Sequence, residues 1–175
     1  MQLLQGEAVN DLLRTCRRDA LHLELQDAYD TPEESEEFRR FLAGEDDDYA
    51  WMNGWAELVV GLTHKGVAVR RARVVTVPHT DWTRWGLSVA SVNVGAGEDI
   101  RYLPRHLIDA DTIGVDDWWL LDGERVAFTL FEPGGQWAGV AVTDDPHIVD
   151  RCIDVWSRVW ERAIPHAEYL VTDRP

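Results

Sequence analysis

Lysine and long apolar runs are both scarce in this chain, and each scarcity argues against a class of protein. Only Lys65 is a lysine, and 17 basic residues against 32 acidic ones give a net charge of −15. A charge of this sign repels phosphate backbones and anionic lipid surfaces, so we expect no direct binding to nucleic acid or membranes. No stretch approaches the roughly 18 apolar residues of a membrane span, and the amino terminus does not resemble a signal peptide. We therefore expect a cytoplasmic protein.

Motifs that would indicate a catalytic or metal-binding protein are missing as well. Cys16 and Cys152 are the two cysteines, and their spacing is not typical of a metal site or redox pair, so we predict reduced thiols. The six histidines form no HxH, HExxH or His-x-Lys pattern, and we expect each to be a surface or loop residue. The GxSxG, Walker and GxGxxG patterns are also absent. The sequence predicts no metal, no cofactor and no standard enzyme class.

Tryptophan, by contrast, is abundant. The chain holds nine tryptophans among 175 residues, a length that fits one domain with a substantial core. Such residues stabilise cores or form partner-facing surfaces, and we expect mostly core. The acidic residues are concentrated in 1–50, which hold 14 acids against 5 bases, whereas 51–175 hold 18 against 12. An acidic amino-terminal half is therefore a candidate surface for a protein partner.

The hydrophobic periodicity predicts an α/β fold of the α+β kind, with a mixed sheet, a C-terminal antiparallel meander and helices packed on it. Capping-box and turn signals support the boundaries at Thr31–Glu34, Asp122-Gly123 and Pro133–Gly135. The tail beyond Pro165 has no clear pattern, and we expect it either to wrap back through Tyr169 and Leu170 or to fray. In chain order we predict a helix near 10–18, a strand at 21–25, helices at 32–42 and 51–62, a strand at 67–77, a helix from 81 toward 95, strands at 100–103, 118–121, 126–131 and 137–142, and a helix at 146–163.

Charged residues of the predicted sheet form a candidate binding site. Arg71 and Arg73 share a strand face with valines, so in a central strand they need partners or a cleft. Arginine suits carboxylate or phosphate, so the group could clamp an anionic ligand; the alternative is an internal arginine–carboxylate network that fixes strand order. The close acid pairs Asp116-Asp117 and Asp109–Asp111 are expected to be solvated loops. The candidate ligand-binding residues are Arg71, Arg73, Arg84, Glu98, Arg101, Asp117 and Asp122, and Arg105 belongs to the wider group.

Four segments together resemble a known family: Arg71-Ala-Arg-Val-Val-Thr-Val-Pro78, Asp81-Trp-Thr-Arg-Trp85, Gly97-Glu-Asp-Ile-Arg101 and Asp117-Trp-Trp-Leu-Leu-Asp122. The set resembles the actinobacterial domain-of-unknown-function family numbered six-eight-seven-nine, over nearly the whole chain. Members of that family are often encoded beside helix-turn-helix regulators, so the resemblance implies a regulatory setting. The pattern is also loosely similar to phospholipase D-like folds without the catalytic histidine and lysine, which implies no phosphodiesterase activity.

Two functional hypotheses follow. The first is a non-catalytic cytoplasmic regulatory module that binds a protein partner, such as a helix-turn-helix regulator, through its acidic half or an aromatic surface. The second is a sensor of a small anionic molecule, or a degenerate phosphodiesterase-like hydrolase, that uses the arginine–carboxylate group. Convergence of those groups in a concave pocket would favour the second hypothesis.

Overall fold

One mixed sheet organises residues 1–29, 32–133 and 136–172, the part of the chain that this computed structural model describes. The strands are β1 (Gln2–Leu4), β2 (Asp19–Glu24), β3 (Ala68–Val75), β4 (Asp99–Pro104), β5 (Trp118–Leu121), β6 (Arg125–Phe131), β7 (Trp137–Thr143) and β8 (Ile164–Pro165). They lie in the order β1-β7-β6-β5-β2-β3-β4-β8. β2, β3 and β4 are parallel, and β5, β6 and β7 form an antiparallel meander, so the predicted α+β fold with a mixed sheet is confirmed.

Helices pack on both faces of this sheet. They are α1 (Glu7–Arg14), α2 (Pro32–Leu42), α3 (Asn53–His64), α4 (Asp81–Gly95), α5 (Ala110–Ile113), α6 (Pro146–Arg162) and α7 (His166–Thr172), with 3₁₀ turns at Ala50–Met52 and Arg105–Leu107. Local side-chain hydrogen bonds explain where α4 and α6 begin. The Thr80 side chain accepts a hydrogen bond from the Thr83 N–H, and Asp145 caps the amino terminus of α6 ahead of Pro146.

The hairpin between β5 and β6 confirms the turn predicted at Asp122-Gly123. Both residues have positive φ angles, 54° for Asp122 and 65° for Gly123, and the Glu124 N–H donates to the Leu121 carbonyl at 2.9 Å across the turn. Two other predicted boundary signals involve Thr31 and Gly134-Gly135, which lie outside the described residues.

Two different layers cover the sheet. On one face, α6 and α5 pack on a continuous apolar core that contains Leu23, Val74 and Leu120. On the other face, α1 and α3 cover one apolar core and α4 covers a second, which Tyr102 and Tyr169 join. Between those two cores, the middle of the sheet carries charged side chains.

The two edge strands near the chain ends were not predicted, whereas the tail follows the first of its two expected courses and wraps back through Tyr169. β1 and β8 are short edge strands, and α7 returns the tail to the sheet, where Tyr169 is 3% exposed and stacks on Tyr102 with ring centroids 4.8 Å apart. A single buried aromatic ring per turn leaves too weak a periodic signal for sequence reasoning.

Cys16 and Cys152 are buried free thiols on opposite sides of the sheet, one in the α1–α3 core and one beneath α6. Burial raises the pKa of Cys16 to about 12 and that of Cys152 to about 11. Within the described ranges, no helix has the length and apolarity needed to cross a membrane, and no three His, Cys, Asp or Glu residues are grouped to hold a metal ion.

Candidate ligand-binding pocket

A cavity of about 360 Å³ opens over the charged middle of the sheet, on the face that α1, α3 and α4 cover. We call it the tryptophan pocket. Its tryptophans are Trp51, Trp55, Trp82, Trp85, Trp119 and Trp137. The expectation that tryptophan would be mostly core holds for Trp85 and Trp119, which are buried in the pocket wall and floor, and for Trp118 and Trp156 on the α6 side of the sheet, where Trp160 is partly buried.

Helical spacing brings the wall tryptophans together. Trp82 and Trp85, three residues apart on α4, meet edge to face with ring centroids 4.9 Å apart. Trp51, from the 3₁₀ turn before α3, stacks on Trp85 at 5.7 Å, and Trp55 lies 5.8 Å from Trp119 of β5. The rings thus form a wall on the helical side of the pocket and continue onto the sheet.

The α4 side of the pocket continues below Trp82 and Trp85 as a narrow stripe. Gly86, Val89, Ala90 and Asn93 follow one another at helical spacing and all line the cavity. At Gly86 a β-carbon would lie only 2.6 Å from Nη1 of Arg73. Glycine at this position therefore lets the arginine of β3 lie directly against the helix.

A charged network forms the floor. The register of β2 and β3 sets His22 opposite Arg71 and Glu24 opposite Arg73. Arg71 donates from Nε to Oε1 of Glu98 at 2.7 Å and from Nη1 to Oε1 of Glu24, while Nε of Arg73 contacts Oε2 of Glu24. Nε1 of Trp55 donates to Glu98 at 3.3 Å. Glu98 does not itself line the pocket, but its hydrogen bond from Trp55 connects α3 to the network.

The network fixes the charge of its members. Burial raises the pKa of Glu24, but the positive charges of Arg71 and Arg73 outweigh it and lower that pKa to about 2. Burial also lowers the pKa of His22 to about 3, against the opposing effect of Glu24. His22 is therefore a neutral imidazole near pH 7, and it stacks on Trp119 with centroids 4.1 Å apart.

Asp117, just before β5, forms the second polar group of the floor with Tyr29. Its Oδ2 accepts a hydrogen bond of 2.5 Å from the Tyr29 hydroxyl, and its Oδ1 accepts one of 2.6 Å from the Leu25 N–H. Burial raises the pKa of Asp117 to about 6, assisted by the charge of Glu24 and opposed by these hydrogen bonds. Burial also raises the pKa of Tyr29. Asp117 is thus largely ionised near neutrality but takes up a proton in mild acid.

Asn93 is the one lining residue with a buried, unsatisfied polar atom on α4, within the part of the chain described. The residue is 4% exposed, and its Oδ1 has no hydrogen-bond partner there. Its backbone carbonyl accepts the Glu98 N–H at 3.0 Å, so the end of α4 is held by the main chain rather than by the side chain. The amide group is therefore not needed to end the helix.

The structure brings together only part of the predicted site. Arg71, Arg73 and Asp117 line the pocket, and Glu98 lies directly behind Arg71. The internal network considered as an alternative is therefore present, with an open cavity above it.

The other three candidates lie elsewhere. Arg84 is exposed on α4 and pairs with Asp81. Arg101 is on the α6 face, where its guanidinium lies 4.0 Å from the Trp160 ring centroid. Asp122 accepts hydrogen bonds from the N–H groups of residues 17–19 at the far end of β2. Ligand binding by any of these residues stays a prediction.

Some pocket residues were missed or misjudged. His22 was expected at the surface, but its side chain is 12% exposed, and His166 is buried against Tyr102. Asp117 was expected in a solvated loop, and it is buried because Tyr29 and the end of β2 cover it. His22 and Glu24 alternate with leucines, a pattern typical of a solvated strand face; the two arginines at the same spacing in β3 were the signal that this face is covered.

Residues 7–171 match the model of a family described as Domain of unknown function (DUF6879). The chain belongs to this family. The family resemblance carried by the four segments is confirmed, whereas the actinobacterial setting and the likeness to phospholipase D-like folds stay predictions. No curated protein matches the DUF6879 chain.

Among solved structures, the DUF6879 chain is similar to TrmBL2, an archaeal chromatin protein whose structure shows a novel mode of DNA binding. The two chains share 12% sequence identity with a TM-score of 0.49. The match covers 93% of this chain and 53% of the other, so the DUF6879 chain spans about half the length of that structure.

Proposed function

We propose that the tryptophan pocket binds a small, uncharged organic molecule with a flat aromatic ring, and that the protein acts as a sensor of that molecule. The observation that supports this proposal is a cavity of about 360 Å³ with six tryptophans in its lining. Binding sites for small molecules are typically concave, mostly apolar, and supplied with a few placed polar groups. Aromatic walls favour a ring that can stack or pack edge to face.

The charge of the floor favours an uncharged ligand over the anion expected from the sequence. The lining contains Arg71 and Arg73 against Glu24 and Asp117, so the positive and negative groups are equal in number. Both arginines are already in contact with Glu24. An anion would have to displace these carboxylates from the arginines, and a cation would have to displace the arginines from the carboxylates.

The hydrogen bonds of the floor favour a ring over a ligand rich in hydroxyl groups. Each carboxylate oxygen of Glu24 and Asp117 is already in contact with an N–H or O–H group of the protein. The carboxylates therefore have few acceptor sites left for the hydroxyl groups of a ligand, so most of its contact must be with the tryptophan rings.

The test uses three probes that share one ring system and differ in charge: indole, indole-3-acetate and tryptamine, with D-glucose as an uncharged probe that has no aromatic ring. Ligand-observed NMR and isothermal titration would measure binding to the whole chain. We expect indole to bind most tightly, and Trp82→Ala to weaken its binding by about tenfold or more.

The matched control is Trp160→Ala, which removes a partly buried tryptophan from the opposite face of the sheet. It should leave indole binding unchanged. Equal loss in both variants, tighter binding of indole-3-acetate, or binding of glucose but not of indole would contradict the proposal.

The partner hypothesis is kept as a second proposal on the strength of the acidic residues in 1–50, which outnumber basic ones by 14 to 5. A sensor in the cytoplasm needs a recipient, and an acidic surface suits a basic helix-turn-helix regulator. Co-purification with a neighbouring regulator in moderate salt would test it. Absence both of a complex and of any effect on the regulator's DNA binding would rule it out.

A further inference from the structure

We infer that Asn93 is the polar anchor of the tryptophan pocket and that the ligand carries a primary amide, or an equivalent planar edge with a donor beside an acceptor. This inference rests on the proposed function and makes its ligand class specific. It starts from the one feature of the lining of α4 that the fold itself does not explain.

The side chain of Asn93 lines the pocket but is not needed to end the helix. It lies in the stripe that begins at Gly86 and lines the cavity, it is 4% exposed, and its Oδ1 is buried without a partner among the described residues. Buried polar atoms in folded proteins nearly always have a hydrogen-bond partner, so an exception requires an explanation. A leucine has the same branched shape, though it is larger, and would leave no polar atom unpaired.

The carboxylates of the floor are engaged, and the two other lining atoms that are buried without a hydrogen bond, Nδ1 of His22 and Nε of Arg73, both lie against Glu24. Glu24 is held by Arg71 and Arg73, and Asp117 by Tyr29 and the Leu25 N–H. Along α4, Val89 and Ala90 lie between Gly86, which faces Arg73, and Asn93, which is about 10 Å further along the helix. A ligand ring between the tryptophans can therefore extend its polar edge toward Asn93 without disturbing the charged network.

The chemistry of asparagine decides the ligand class. Its side chain presents a carbonyl acceptor and an NH₂ donor next to each other in one plane. The complementary group is another planar edge with a donor beside an acceptor, as in the pairing of asparagine with the edge of adenine. Exchanging the oxygen and nitrogen of Asn93 reverses the pairing but leaves the ligand class the same.

The experiment compares 2-naphthamide with 2-acetylnaphthalene, which has the same ring and carbonyl but a methyl group in place of NH₂. Titrations followed by NMR would use the native chain, Asn93→Leu, and Ser91→Leu as a control on the exposed side of α4. We expect the native chain and Ser91→Leu to bind the amide about tenfold more tightly than the ketone, and Asn93→Leu to bind both equally.

A second measurement needs no variant. The side-chain ¹⁵N–¹H resonances of Asn93 in the native chain should shift on addition of 2-naphthamide and remain in place with 2-acetylnaphthalene. Equal binding of the two probes by the native chain, together with unshifted Asn93 resonances, would overturn the inference and leave the proposed function standing. Failure of both probes, and of indole, to bind would overturn the proposed function itself.

Discussion

The core on the α6 face of the sheet is apolar, and the arginines of that face, Arg70 and Arg101, are only partly buried. The opposite face changes from apolar to charged and back to apolar across its middle strands. The contrast is visible within single strands: Leu23 and Glu24 are neighbours on β2, and Ala72 and Arg73 on β3, yet each pair divides between the two faces. The apolar face stabilises the folded state by burying hydrocarbon. The charged face does so only while each buried ion keeps its partner. One face can thus stabilise the fold while the other holds a site.

The largest expected effect comes from Arg71→Met. Removing this arginine leaves Glu98 buried without its counter-ion and leaves Glu24 with Arg73 alone, so we expect the free energy of unfolding to fall by about 3–5 kcal/mol in urea titrations. Its neighbour Arg70 is the control, since its side chain is on the α6 face with its guanidinium 5.9 Å from the Trp160 ring centroid. Arg70→Met should cost about 0.5–1 kcal/mol. Equal losses in both variants would mean that the two faces do not differ as described.

The second effect is the dependence of the free energy of unfolding on pH. In the native chain it is concealed because two residues contribute with opposite sign. Asp117 has a folded pKa of about 6 against an ordinary 3.8, so the folded state binds its proton first and stability rises as pH falls from about 6. His22 has a folded pKa of about 3 against an ordinary 6.5, so the unfolded state binds its proton first and stability falls over the same interval. Above the ordinary pKa of 4.5 for Glu24, its contribution is constant. Between pH 6 and 4.5 the opposing effects of Asp117 and His22 nearly cancel.

Single variants should reveal the two opposing contributions. Relative to the native chain, the free energy of unfolding should rise in His22→Phe and fall in Asp117→Asn as pH is lowered from 6 to 4.5. Each difference should have a slope of about 1.4 kcal/mol per pH unit. Urea unfolding at several pH values measures both slopes. Curves parallel to that of the native chain would show that neither group is buried in the charge state described.

The smallest effect compares two glycines within helices. Replacing a helical glycine with alanine stabilises a helix by about 1 kcal/mol, and Gly61→Ala in α3 should show this gain because nothing lies within 4 Å of the added carbon. Gly86→Ala should gain less, since its β-carbon would lie 2.6 Å from Nη1 of Arg73 and displace that guanidinium. Thermal unfolding and indole titration would separate the cases: only Gly86→Ala should alter binding. Identical behaviour would show that Gly86 has no part in placing Arg73.

Much of the fold was predictable because its signals are local. Thr80 before α4, Asp145-Pro146 before α6 and the Asp122-Gly123 turn are each short patterns with a direct physical cause. The edge strands were not predictable because a strand of two or three residues has no period to detect.

The site was predictable only in part, because its members come from distant segments. Arg71 and Arg73 were conspicuous as charges in an apolar strand, which is a local signal. Asn93 was not, because an asparagine in a helix has no meaning until its neighbours across the pocket are known. Arg101 shows the opposite error: it lies in a strand beside β3, but the register sets it opposite Ala72, on the other face.

The short edge strands β1 and β8 affect how these molecules associate at high protein concentration. β1 contains three residues and β8 two, and they form the two outer edges of the sheet. An exposed edge can recruit a strand from another molecule only if it offers a long row of unpaired backbone groups. Such brief edges offer few, so β1 and β8 are themselves poor templates for sheet-to-sheet aggregation at high concentration.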